Sequence, residues 1–168
     1  MSKLHELSWR TNINTYTFRG KYIVLYDDHR TLLNILFEAK KLGEFAETPN
    51  LIYFDLHDDA CTLLPKSQLL ERMGVKDLSE ATSKQFWSFV EFDLGVLDDD
   101  WLLTGMELDL IKNAILIGQE ENHHIQDMNG RYKSEDRVEH ELYSISHLQY
   151  SLNNRGCLIG IFCCYFSS

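Results

Sequence analysis

The chain has 168 residues, 44% hydrophobic and 25% charged, with 9 glycines and 2 prolines, a globular composition that sets the expectation of a single domain over residues 1–168. A net charge of −10 speaks against a nucleic-acid binder, which needs a basic face to displace counterions from phosphates, and is compatible with a metal or a cationic small-molecule substrate. No apolar run approaches the roughly 18 residues of a membrane span and no basic-then-apolar leader opens the sequence, so the expectation is a cytoplasmic protein with no membrane partner.

The first residues are polar and mixed, with Thr15-Tyr16-Thr17-Phe18 as a short alternating piece that suits an edge strand. After Gly20, the run from Tyr22 to Tyr26 is continuously apolar and predicts a strand covered on both faces. Asp27-Asp28-His29 ends it, and Leu32, Ile35, Leu36 and Ala39 then repeat at helical spacing, with Lys40 and Lys41 in the last turn and Gly43 as the stop. His29 therefore stands at a strand-to-helix junction.

Pro49 introduces a second strand, Leu51-Ile52-Tyr53-Phe54, which breaks into Asp55-Leu56-His57-Asp58-Asp59. In an extended chain alternate side chains point one way, so Asp55, His57 and Asp59 are expected to converge just past the strand's end. Two carboxylates and an imidazole suit a divalent cation such as Mn²⁺ or Zn²⁺, and ligands of open parallel sheets bind at the carboxyl ends of strands. The plain alternative is an acidic loop after a buried strand. His29 is expected beside this cluster, because adjacent parallel strands end side by side.

Pro65 marks the first turn of a helix running to about Met73, capped by Gly74. Strand and helix thus alternate, which predicts a parallel α/β sheet. Residues 79–94 fit a helix or a strand equally well, with Trp87, Phe89 and Phe92 expected in the core. Asp98-Asp99-Asp100 reads as the acidic start of a helix from Trp101 to Leu110, weakened by Gly105. Ala114 to Gly118 is another short strand, and the loop after it carries His123 and His124, either of which could act as a general acid or base or bind a polar substrate; solvated surface histidines are the alternative. Val138, Leu142, Ile145, Leu148 and Leu152 predict a long amphipathic helix over 134–152, and Cys157 to Phe166 a final buried strand. The cysteines, at 61, 157, 163 and 164, form no C-x-x-C pair and are expected to be reduced.

The pieces Tyr26-Asp27-Asp28-His29-Arg30-Thr31-Leu32 and Phe54-Asp55-Leu56-His57-Asp58-Asp59, and more loosely Asp98 to Gly118, resemble the arginase/agmatinase and histone-deacetylase superfamily. The closer resemblance is to the arginase-related uncharacterised protein family UPF zero-four-eight-nine. It implies a three-layer α/β fold around a parallel sheet, shortened here at the C-terminus, and a Mn²⁺ site, with Zn²⁺ as the alternative. His29, Asp55, His57 and Asp59 fall on the ligand positions, with Asp55 bridging, and Asp28 or His124 would assist acid–base chemistry. The implied activity is attack of metal-bound hydroxide on a guanidinium, amidine or amide carbon. The superfamily draws further carboxylate ligands from a later D-x-D strand; here that place holds Gly160, Phe162 and Cys164. A thiolate from Cys164 would favour Zn²⁺. The rival expectation is a non-catalytic metal-binding or interaction module of the same fold, whose incomplete last strand could pair with a second copy.

Overall fold

A computed structural model of the chain describes residues 13–19, 21–26, 28–55, 57–61, 64–94, 99–117 and 123–145. The expected final strand, the remaining three cysteines and the end of the expected helix at 146–152 lie outside them.

Among the described residues the strands form two β-structures. Strands β1 (Asn14–Phe18) and β2 (Lys21–Leu25) form an antiparallel ribbon of their own. The alternating piece at 15–18 is thus a strand, as expected, but β2 is neither part of the parallel sheet nor covered on both faces: Ile23 and Leu25 are 44% and 45% exposed. An apolar run is equally compatible with a ribbon that buries one side, and here that side is Val24, packed with Ile13 and Tyr26 against Ile35 and Trp87. The ribbon docks on the helices, and the chain leaves it through Tyr26 toward helix α1 (Thr31–Lys41). Leu32, Ile35, Leu36 and Ala39 form the buried stripe of α1, and Gly43, at φ +69°, follows its end.

The main sheet has the order β3-β4-β6-β5, from β3 (Leu51–Phe54), β4 (Ala114–Ile117), β5 (Arg131–Lys133) and β6 (Glu139–Ile145). β3, β4 and β6 run parallel, and β5 closes the sheet antiparallel to β6. The chain crosses from β3 to β4 through α2 (Lys66–Met73), α3 (Ser83–Phe92) and α4 (Trp101–Glu107), and from β4 to the β5–β6 hairpin through α5 (His123–Asp127). The α/β reading with a mainly parallel sheet is therefore correct.

Helix α3 settles the ambiguous stretch, because Thr82 and Gln85 form a reciprocal capping box that only a helix start can use. Phe86, Trp87, Phe89 and Val90 are buried as a helical stripe, whereas Phe92, expected in the core, is 81% exposed at the helix end. The expected helix over 134–152 is overturned at 139–145: burial in β6 alternates, with His140 and Leu142 inward and Glu139, Glu141 and Tyr143 outward. Spacings of three and four had selected Val138, Leu142 and Ile145, of which the first and last are half-exposed. A turn from Ser134, with Arg137 at φ +64°, reverses the chain into this strand.

One sheet face carries Leu51, Tyr53, Ala114, Leu116 and Leu142, packed in a single core with residues from all five described helices. On the other face Ile52, Tyr143 and Ile145 remain 37–52% exposed. Buried Glu107 ties the far side together by accepting from the Lys66 and Glu135 amides and from the Tyr132 hydroxyl, so one carboxylate holds α2 and the hairpin turn to the end of α4.

Candidate metal centre

β3 ends at Phe54, and Asp55 follows directly at the carboxyl edge of the parallel strands. Its Oδ1 accepts from the backbone N–H of His57 at 3.1 Å, a tight turn that ends the strand's alternation. The chain doubles back at Asp59, whose φ of +48° is left-handed, a conformation aspartate tolerates better than most residues. This turn returns the Asp59 carboxylate to the side of Asp55.

His29 reaches the same point from the other direction, in the turn before α1. Its Nδ1 lies 3.2 Å from Asp55 Oδ2 and 3.3 Å from Asp59 Oδ2. One ligand atom from each of His29, Asp55 and Asp59 falls within 4.8 Å of the other two, and no other such group occurs among the described residues. The carboxylates are 11% and 9% exposed and the imidazole 39%, so the cluster is walled on one side and open on the other.

Trp101 supports it from below. Fully buried at the start of α4, it donates from Nε1 to Asp59 Oδ2 at 2.8 Å and stands edge-on to both His29 and Tyr53. Tyr53 in turn donates to the Asp58 carbonyl at 2.7 Å, and burial, then the charges of Asp59, Asp58 and Asp55, push its phenol well above the ordinary range. The sequence pointed to Trp101 only as a helix start after three aspartates; that one indole joins the cluster to the core depends on a long-range contact.

The expected site residues thus divide. The structure joins His29, Asp55 and Asp59. His57 stands apart from the three: its ring is 82% exposed, with Nδ1 3.6 Å from Asp55 Oδ1. Asp28 is committed to Arg30, accepting from its backbone N–H at 2.9 Å and its guanidinium at 3.0 Å. The His124 ring faces not Asp59 but the buried Asp58, with Nδ1 2.8 Å from Oδ1. His29 reached the cluster without the expected adjacent strand, since β2 lies in a separate sheet.

Comparison with known proteins finds no matching family model, no matching curated protein and no matching solved structure. The arginase-superfamily resemblance rests on the sequence motifs.

The arrangement suits a divalent cation. Two carboxylates crowded against one imidazole make an acceptor-rich pocket in which like charges repel unless a cation lies between them, and hard oxygen with imidazole nitrogen matches Mn²⁺ or Zn²⁺. A surface concavity of about 650 Å³ lies elsewhere, lined by α2 and the β5–β6 turn. Within it Lys66 pairs with Asp136, and Ser67 donates from its amide and hydroxyl to Glu135.

Proposed function

We propose that the chain is an arginase-like metal-dependent hydrolase of C–N bonds, acting on a small guanidino, amidine or amide compound, with His29, Asp55 and Asp59 holding Mn²⁺ or Zn²⁺. The observation that carries this reading is the convergence of those three ligand atoms within 4.8 Å at the end of a parallel strand. When bound, such an ion supplies Lewis acidity and lowers the pKa of a coordinated water. Three protein ligands leave positions open for water and substrate, as a catalytic rather than a structural site requires.

The chain's own groups define the surroundings. Trp101 fixes the Asp59 carboxylate, and Asp55 is oriented by the His57 amide. Exposed His57, next to Asp55, would be a further ligand in a six-coordinate Mn²⁺ site, which still leaves positions open. Asp28, next to His29 in the chain and paired with Arg30, or His124, paired with Asp58, would be the acid–base group. In this reading the sheet belongs to a three-layer arginase-like domain, with a further layer over Ile52, Tyr143 and Ile145.

Release of urea or ammonia from a panel of guanidino, amidine and amide compounds by the Mn²⁺-loaded full chain tests the proposal. The expected result is turnover that Asp55→Ala lowers by two orders of magnitude or more. A chain that binds the metal and turns over none of them supports the second reading, a non-catalytic metal-binding module, which the missing later D-x-D carboxylates favour.

A further inference from the structure

We propose that Asp58 is a positioning residue for the metal centre: bonded to the start of α5, it holds the peptide before Asp59, so that Asp59 keeps the left-handed conformation that brings its carboxylate beside Asp55. This role rests on the reading of His29, Asp55 and Asp59 as metal ligands and adds the element on which their loop depends.

Asp59 has φ +48°, a conformation that persists in a residue other than glycine where the surroundings over-determine it. In an unconstrained loop Asp59 would favour a negative φ, and its carboxylate would swing away from Asp55. That angle is the rotation of the Asp58–Asp59 peptide plane about the Asp59 N–Cα bond. Whatever fixes this peptide therefore fixes the ligand.

Asp58 holds the peptide from two sides. Its carbonyl, which belongs to that peptide, accepts from the Tyr53 hydroxyl at 2.7 Å, and Tyr53 is fully buried in β3. Its carboxylate, only 4% exposed, accepts from the backbone N–H of His124 at 3.0 Å, from that of Ile125 at 3.1 Å and from His124 Nδ1 at 2.8 Å. Ile125 is itself part of the main core, which makes α5 a firm anchor.

Asp58 and Asp59 are neighbours in the chain, yet their carboxylates go to different elements. Asp58 is bonded to α5, whereas Asp59 takes the Trp101 indole of α4 and faces His29. The peptide between them cannot rotate freely while both sets of bonds hold. With its donors supplied by α5, Asp58 also stands outside the ligand set, which brings together His29, Asp55 and Asp59 alone. The coupling is reciprocal: an ion that fixes Asp59 also fixes α5 against the loop.

The test is Mn²⁺ binding to the full chain by calorimetry, with hydrogen exchange at the start of α5 as a second readout. Asp58→Ala removes the clamp and should weaken binding by at least about tenfold, as loss of an outer partner of a metal ligand does. Asp58→Asn should restore most of that loss, because a single oxygen, Oδ2, accepts from both α5 amides and an amide oxygen can replace it. In the native chain Mn²⁺ should slow exchange of the His124 and Ile125 amides. Should Asp58→Ala alter the far-ultraviolet circular dichroism, Tyr53→Phe, which keeps the ring and removes the donor to the Asp58 carbonyl, decides by the same calorimetry through weakened binding. Native affinity in these variants overturns the positioning role, as does exchange that Mn²⁺ leaves unchanged. An Asn variant as weak as Asp58→Ala would show that Asp58 acts through its charge and equally overturns it. A native chain that binds no Mn²⁺ overturns the metal reading itself, an outcome distinct from native binding that the variants leave untouched.

Discussion

At the scale of single residues, the His29 cluster depends on how its acids are held. Asp59 has an unfavourable backbone angle, and its Oδ2 receives the Trp101 indole proton while facing His29. Trp101→Phe keeps most of the buried ring and removes the donor, leaving an acceptor short of one bond at a cost of about 1–3 kcal/mol. Outer partners of metal ligands are worth about 10–100-fold in affinity, so Mn²⁺ binding measured by calorimetry should weaken by that factor while the far-ultraviolet spectrum is unchanged. Unaltered affinity would show that Trp101 does not position Asp59. The acids of this site were legible because D-x-H-x-D after an apolar run is a local pattern. The indole was not, since it lies 42 residues beyond the carboxylate it holds. Alternation also failed locally: Asp55 takes the His57 amide and bends the chain, so the side chain at 57 leaves the row while that at 59 returns by a left-handed turn.

At the scale of elements, punctuation residues read correctly and periodicity misled where both periods fitted. Gly43, Pro65 and Gly74 bound α1 and α2 as expected, because each acts through its own backbone. The stretch at 138–145 satisfied a helical stripe and an alternating strand at once, and the choice was made by the slot between β4 and β5, which no local window contains. Gly105 illustrates the same limit. It reads as a weak point in α4, yet a Cβ there would stand 2.5 Å from Ile111 Cδ1 and 3.0 Å from Leu33 Cδ2, both side chains fully buried. Gly105→Ala should therefore destabilise by about 1–3 kcal/mol through overpacking, although alanine is favoured in an exposed helix by about 1 kcal/mol. Urea denaturation checks this; a stabilised variant would mean that α1 and α4 can separate at little cost.

At the scale of the molecule, the α/β class followed from alternating strand and helix signals, but the membership of each strand did not. β2 had the composition of a buried parallel strand and is half of a ribbon, and the hairpin that completes the sheet came from a region expected to be helical. His29 nevertheless reaches the carboxyl edge of β3, with the ribbon docked on Ile35 of α1 and Trp87 of α3. A cation bound to His29, Asp55 and Asp59 links α1 to the end of the sheet and should stabilise the whole domain. At about one hundred times its Kd it adds about 2.7 kcal/mol, which for a domain of this size raises Tm by roughly 5–10 °C. Scanning calorimetry with and without Mn²⁺ should show that rise, reversed by a chelator and absent in Asp59→Ala.

The most direct measurement is the manganese content of the full chain after Mn²⁺ loading and desalting, for the native protein and for Asp55→Ala side by side. Manganese favours carboxylate ligands, and the His29 cluster is the one three-donor group among the described residues. About one ion per chain in the native protein and none in Asp55→Ala is the predicted result. A native chain that retains no manganese, or a variant that retains as much as the native protein, would contradict the assignment of His29, Asp55 and Asp59 as a metal centre.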